Sequence, residues 1–270
     1  TGSTKKHSMQ NAPTNVASVT FIECKEEQPK RPGRGCGEAV CAAAVVLVLV
    51  ALFVVGARTM ARARDGGVVD DDGAAASYVA IFGSSVARGC CAVNDLGWWY
   101  HLADALEPVA VENYAIGGFT AAATLSVVVT TLESVLVANR TASTSAIISL
   151  SLANEGLFDA DDAAEAEAIA DRYVADLRDV ADAAAARVGG AVVVGSAYAN
   201  DYAQDLHRRV VEDVNARLRT WPYPTIDFYN ATAAPATGRW RAGYAADPGH
   251  PNDLGHRRMF EAIDLGPYVT

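Results

Sequence analysis

The sequence has neither the cysteine spacing of a zinc site nor the basic excess of a nucleic-acid-binding protein. Its five cysteines are Cys24, Cys36, Cys41, Cys90 and Cys91, a set too sparse and uneven for a disulfide framework. No CxxC or HxxxH spacing occurs, so no metal site is expected. Adjacent cysteines bridge only under strain, and Cys90 and Cys91 read as two small, partly buried side chains without chemistry of their own. Cationic charge is scarce as well: 22 Lys and Arg against 32 Asp and Glu leave a formal net charge of −10. Without a basic stripe in the C-terminal two thirds, that balance excludes nucleic acid as a partner.

Long uncharged runs are confined to one place. Residues 1–37 are rich in Lys, Glu, Gly, Pro, Ser and Thr without apolar periodicity, which predicts a flexible tail. From Ala39 to Ala57 every residue is apolar or Gly, close to the roughly 20 residues that cross a bilayer core. Residues 38–58 are therefore expected to be a transmembrane signal anchor and 59–76 a linker. A cleaved signal peptide would have an apolar run of about 7–15 residues behind a short leading segment, unlike this one. Lys25, Lys30, Arg31 and Arg34 before the run are balanced by Arg58, Arg62 and Arg64 after it, so charge barely sets the orientation. Two N-x-S/T triplets, at Asn139 and Asn230, are candidate glycosylation sites and favour a lumenal or extracellular domain.

What the chain does have, from residue 77 to 270, is alternation. Short β-branched or apolar runs at 78–82, 109–113, 146–150, 191–196 and 225–228 are separated by helical spacing at 96–106, 121–136, 161–187 and 203–218, and a last helix follows Pro251. This predicts an α/β domain with three αβα layers and a central, mostly parallel five-stranded sheet. The reactive crevice of such a sheet lies outside the carboxyl ends of its strands. After the first strand, Gly83-Ser84-Ser85-Val86-Ala87-Arg88-Gly89 is a glycine-bounded turn that presents a serine at a helix start. After the second, Asn113 through Thr120 contains Gly117 and Gly118, and a glycine offers an unhindered N–H to an oxyanion. After the third, Asn154 supplies an amide able to donate two hydrogen bonds. Near the C-terminus Asp247 stands three residues before His250, close enough in a turn to orient the ring and stabilise its cation.

Taken in order, these four segments resemble the sequence blocks of the SGNH (GDSL-like) hydrolase superfamily. The resemblance implies a flavodoxin-like fold, Ser85 as nucleophile, Asp247 and His250 as its catalytic partners, and an oxyanion hole from Ser85, Gly118 and Asn154. It calls for no cofactor. It implies a serine esterase acting on a small-molecule, glycan or lipid ester; a membrane-associated O-acyltransferase with the same triad, or a silent binding protein on this fold, are the alternatives. Ser84 stands where the family usually has Asp, Ala115 replaces a Gly, and Leu152 and Glu155 replace the Gly and Asp that flank the asparagine. Leu152 is expected to add bulk beside the substrate pocket. Arg88, Tyr198 and Asn200 are candidate substrate contacts at the reactive edge. His256 is expected to be a partly buried helix-start histidine, and Trp98 and Trp99 to pack against the sheet.

Overall fold

In a computed structural model, which describes residues 78–139 and 144–268, the strand at Tyr78–Gly83 (β1) and the one at Thr144–Ser149 (β3) are buried at every position. Continuous burial is what parallel strands covered on both faces require. These two form the middle of a five-stranded sheet with Ala110–Asn113 (β2), Val192–Gly195 (β4) and Thr225–Ile226 (β5), in the order β2-β1-β3-β4-β5. Every pairing is parallel, with Gly83 opposite Ser149 and Ile81 opposite Asn113. This is the flavodoxin-like order, whose reversal point brings the ends of β1, β2 and β3 to one rim.

Among the described residues seven α-helices accompany the sheet: Ser85–Arg88 (α1), Trp98–Ala105 (α2), Ala121–Asn139 (α3), Ala163–Ala185 (α4), Asp205–Leu218 (α5), Phe228–Thr232 (α6) and Asp253–Glu261 (α7). α3, α4 and α5 pack in sequence against one another, while α2 and α6 pack on α7. Right-handed crossovers put the two groups on opposite faces of the sheet. α4 shows why the sequence folds this way: Asp162 accepts from the Glu165 N–H at 2.9 Å, and Ile169, Tyr173, Leu177, Val180 and Ala184 make one buried stripe. Phe82, Ile147, Ile148, Trp98 and Phe228 join the same core from the strands and the other face.

The expected strands and long helices are all present. The strand expected over 225–228 stops at Ile226, because the Asp227 carboxylate accepts from the Asn230 N–H at 3.0 Å and starts α6 instead. One element was not anticipated, an antiparallel hairpin of Ala245–Asp247 (β6) and His250–Pro251 (β7). Among the described residues no helix is long and apolar enough to cross a membrane. The expected tail, the anchor at 38–58 and the linker at 59–76 lie outside the described residues.

Candidate active site

The site begins with a close approach. A methyl group on Gly83 would lie 2.0 Å from the Ser149 carbonyl oxygen and 2.7 Å from Ala87 Cβ, so only glycine fits where β1 turns into α1. Ser84 is fully buried in that turn, its N–H donating to Ser149 O at 3.3 Å, and Ser85 opens α1 with partial exposure. Asn113, at the end of β2, ties the turn to the sheet: its Nδ2 donates to Ala87 O at 2.8 Å and its Oδ1 accepts from the Ala115 N–H at 3.0 Å.

The glycine loop follows directly. A methyl on Gly117 would stand 3.8 Å from Ser85 Cβ and 3.8 Å from an Arg88 guanidinium nitrogen, which places this loop beside the serine. Gly118 has a left-handed φ of 78° and faces open space. Among the described residues, neither the Ser85 N–H nor the Gly118 N–H is taken up by another group. Asn154 Nδ2 donates to Phe119 O at 2.9 Å, which sets the amide against the same loop and leaves its second hydrogen. Glu155 bridges the two segments by accepting from the Ala121 N–H at 2.7 Å, and burial raises its carboxyl above the usual range despite that bond.

The β6–β7 hairpin brings the remaining two groups. The two residues between its strands, Pro248 and Gly249, let Asp247 and His250 face each other: His250 Nδ1 lies 2.9 Å from Asp247 Oδ1 and 3.0 Å from Oδ2. On the far side of the ring, Nε2 is 2.9 Å from Ser85 Oγ. With Nδ1–H donated to the carboxylate, Nε2 accepts from the serine hydroxyl. Pro248 O accepts from the Asp201 N–H at 2.9 Å and from Trp240 Nε1 at 3.1 Å, which pins the hairpin to the sheet. Burial opposes ionisation of Asp247, but hydrogen bonds from His250 and the Gly249 N–H outweigh it and hold the carboxyl below its usual range.

Two groups that carried no expected chemistry stand at this site. The chain leaves α1 through Gly89, at φ 102°, and Cys91, at φ 70°, a left-handed conformation that non-glycine residues seldom adopt. The reversal puts Cys90 Sγ and Cys91 Sγ 3.2 Å apart, and Cys91 Sγ 3.6 Å from Asp247 Oδ2. The neighbouring His250 imidazole outweighs burial and lowers the Cys90 thiol. Cys90, working against burial and helped by Asp247, pushes His250 up to about 9. Burial, then Cys90 and Asp247, pushes Cys91 up to about 12. Sequence reasoning missed the pair because Cys91 and Asp247 are 156 residues apart. The available signal was its position, directly after the turn that carries Ser85.

Other sequence-nominated residues fall into place less directly. Arg88 is exposed beside the glycine loop. Tyr198 and Asn200 are not rim groups: they are 5% and 3% exposed. Tyr198 stacks on Trp240, with its hydroxyl toward Ser84 and Ser151 and burial raising it. Asn200 Oδ1 accepts from the Tyr202 N–H at 2.9 Å, beneath the hairpin. The segment after β4 that carries both is tied to the hairpin by the bond from the Asp201 N–H to Pro248 O. Leu152 also differs from expectation, its side chain being 2% exposed in the core and not in an open pocket. His256 is fully buried, accepting from the Trp98 N–H at 3.3 Å and donating to Cys90 O at 3.0 Å. Trp98 is buried against Phe228, as expected of a packing residue. Asn230 is exposed in α6; Asn139 closes α3, and the rest of its triplet lies outside the described residues.

The model of the GDSL-like lipase/acylhydrolase family matches residues 81–258. No protein of curated function matches the chain. Among solved structures, a member of the lipolytic protein G-D-S-L family from Veillonella parvula is 20% identical, with 69% of this chain and 96% of that one covered at a TM-score of 0.53. A lipase from a goat rumen metagenome is 17% identical, with 71% and 98% covered at a TM-score of 0.53. At such identities the likeness is one of fold. The family match runs from the middle of β1 into α7 and so takes in every segment of the site, and the chain accordingly belongs to the GDSL-like lipase/acylhydrolase family of the SGNH superfamily, hydrolases that act on ester bonds.

Proposed function

We propose that the domain is a serine esterase that hydrolyses a small acyl or acetyl ester through Ser85, His250 and Asp247. The observation that carries this reading is the unbroken hydrogen-bonded line from hydroxyl to imidazole to carboxylate, at 2.9 Å on each side of the ring. His250 Nε2 takes the Ser85 proton as Oγ attacks the ester carbonyl carbon, and Asp247 stabilises the imidazolium that forms. The carbonyl oxygen, now negative, is met by the Ser85 and Gly118 N–H groups and the free Asn154 amide hydrogen. Collapse of the tetrahedral intermediate breaks the ester C–O bond, and His250 returns the proton to the departing alcohol. Water, activated by the same imidazole, then releases the acid and restores Ser85.

The side chains of His250 and Asp247 are 28% and 46% exposed, so the reacting groups lie at a solvent-accessible rim, which favours compact acyl groups. The uncharged run inside 38–58 and the triplets at Asn139 and Asn230 support an enzyme tethered to a membrane with this domain on the lumenal or extracellular side. Purified protein assayed on p-nitrophenyl esters of graded chain length, with Ser85→Ala as control, tests the reading. Ser85→Ala should lose about a thousandfold or more of the turnover and all labelling by a fluorophosphonate. Wild-type turnover in that variant would refute the assignment, and product analysis with an added alcohol separates hydrolysis from acyl transfer.

A further inference from the structure

The paired thiols beside the imidazole form and break no bond in the proposed ester cleavage, yet they are placed as ligands. One donor atom each from Cys90, Cys91 and His250 lies within 4.8 Å of the others. Zinc–sulfur and zinc–nitrogen bonds of about 2.3 and 2.0–2.1 Å put the ligand atoms of a tetrahedral site about 3.4–3.8 Å apart. The two sulfurs, at 3.2 Å, need only a small opening to meet that spacing, and Cys91 is exposed at the surface. Asp247 is already bound to the ring, the carboxylate–imidazole pairing that commonly orients a metal-bound histidine. Soft thiolates with one imidazole select a thiophilic divalent cation over magnesium or calcium.

We propose that Cys90, Cys91 and His250 form a binding site for a thiophilic divalent cation, represented by Zn²⁺, and that its occupancy shuts off ester hydrolysis. The thiols lose their protons to solvent as the two zinc–sulfur bonds form, so no oxidant or reductant is involved. The imidazole lone pair is the decisive element. If the ion takes Nε2, Ser85 loses its base; if it takes Nδ1, Asp247 loses its partner; either way the nucleophile is no longer activated. The ion blocks the enzyme because it competes for the base. The binding half of this proposal stands on the ligand cluster alone, and the inhibitory half rests on the catalytic reading above.

The test uses the whole protein, freed of metal and kept reduced. Equilibrium dialysis against Zn²⁺ should give one ion per chain for the wild type and for Ser85→Ala, and Co²⁺ in its place should give a thiolate charge-transfer band. Cys91→Ser alone, and Cys90→Ser with Cys91→Ser, should weaken binding by tenfold or more and abolish that band, with circular dichroism confirming the fold. In the esterase assay Zn²⁺ should inhibit the wild type, a chelator should restore it, and the inhibition constant of the double variant should rise at least tenfold. Zinc affinity unchanged in the thiol variants, or no zinc bound by the wild type, would overturn the site. Zinc bound through the thiols with full esterase activity retained would overturn the role of His250. A protein that binds zinc through the thiols but hydrolyses no ester without it would sink the catalytic reading and leave the ligand cluster standing.

Discussion

Gly83→Ala puts the geometry of the nucleophile turn to a direct test. The added methyl begins 2.0 Å from Ser149 O, and ordinary contact starts at 3.4 Å, so β1 and β3 must part by about 1.4 Å at the end that carries Ser85. Ala87 Cβ, 2.7 Å away on the other side, closes the opposite escape. Two backbone hydrogen bonds flank the clash, Ser84 N–H to Ser149 O at 3.3 Å and Ile116 N–H to Gly83 O at 3.0 Å. Overpacking of about 1–3 kcal/mol, plus about 1 kcal/mol for each of the two weakened hydrogen bonds, gives a loss of about 3–5 kcal/mol. For a domain of this size each kcal/mol lowers Tm by about 2–4 °C. Displacing a reacting group by about 1 Å costs about a hundredfold, so kcat/KM should fall by that factor at temperatures where the variant is still folded. Thermal unfolding followed by circular dichroism, with p-nitrophenyl ester kinetics well below the transition, measures both effects. Gly118→Ala is the contrast, since its methyl meets open space and only the φ of 78° is unfavourable, costing about 1–2 kcal/mol. A folded Gly83→Ala enzyme within threefold of wild-type kcat/KM would show that this turn does not position Ser85.

Further outcomes follow from the same geometry. Asn154→Ala should lower kcat about a hundredfold or more by removing one oxyanion donor, with KM little changed; steady-state kinetics decides, and an unaltered kcat removes Asn154 from the site. Asp247→Asn should lower kcat by about four orders of magnitude, since an amide no longer fixes the Nδ1–H tautomer; a loss below tenfold would mean that the carboxylate only packs there. Because a general base must be neutral and His250 is held up to about 9 mainly by Cys90, kcat/KM should rise with pH and level off only above about pH 9. In metal-free buffer Cys90→Ala should move that midpoint to lower pH, and a midpoint that stays put would refute the thiol's influence. The raised imidazole also stabilises the folded chain, fully below its unfolded value near 6.5, and this contribution disappears as pH rises through about 9.

Much of the architecture is written in local pattern. β1 and β3 are legible because each is a continuous apolar or β-branched run, and α4 because its stripe repeats at helical spacing over 23 residues. Ser85 and the Asp247–His250 pair are legible because each depends on a short spacing within one turn. The β6–β7 hairpin escaped notice because strands of three and two residues are too short to show alternation. Cys90 and Cys91 escaped for a different reason: their relation to His250 exists only after the fold closes a long loop, and nothing local to them marks it. Tyr198 and Asn200 follow β4 at the end of the sheet that the strand pattern indicates, but their burial, at 5% and 3% exposure, depends on distant segments and is not legible locally.

Asp247 and His250 flank one two-residue turn, and the Gly249 N–H, Trp240 and Asp201 hold that turn from within and below. The acid and the ring therefore travel as a single cassette. Their mutual alignment is set inside the turn, so the separation left for the sheet to fix is the one to the serine oxygen, 2.9 Å. On the proposed reading, turnover depends on that one separation, and substitutions behind the cassette, at Trp240 or Pro248, should change it without touching the acid–ring pair.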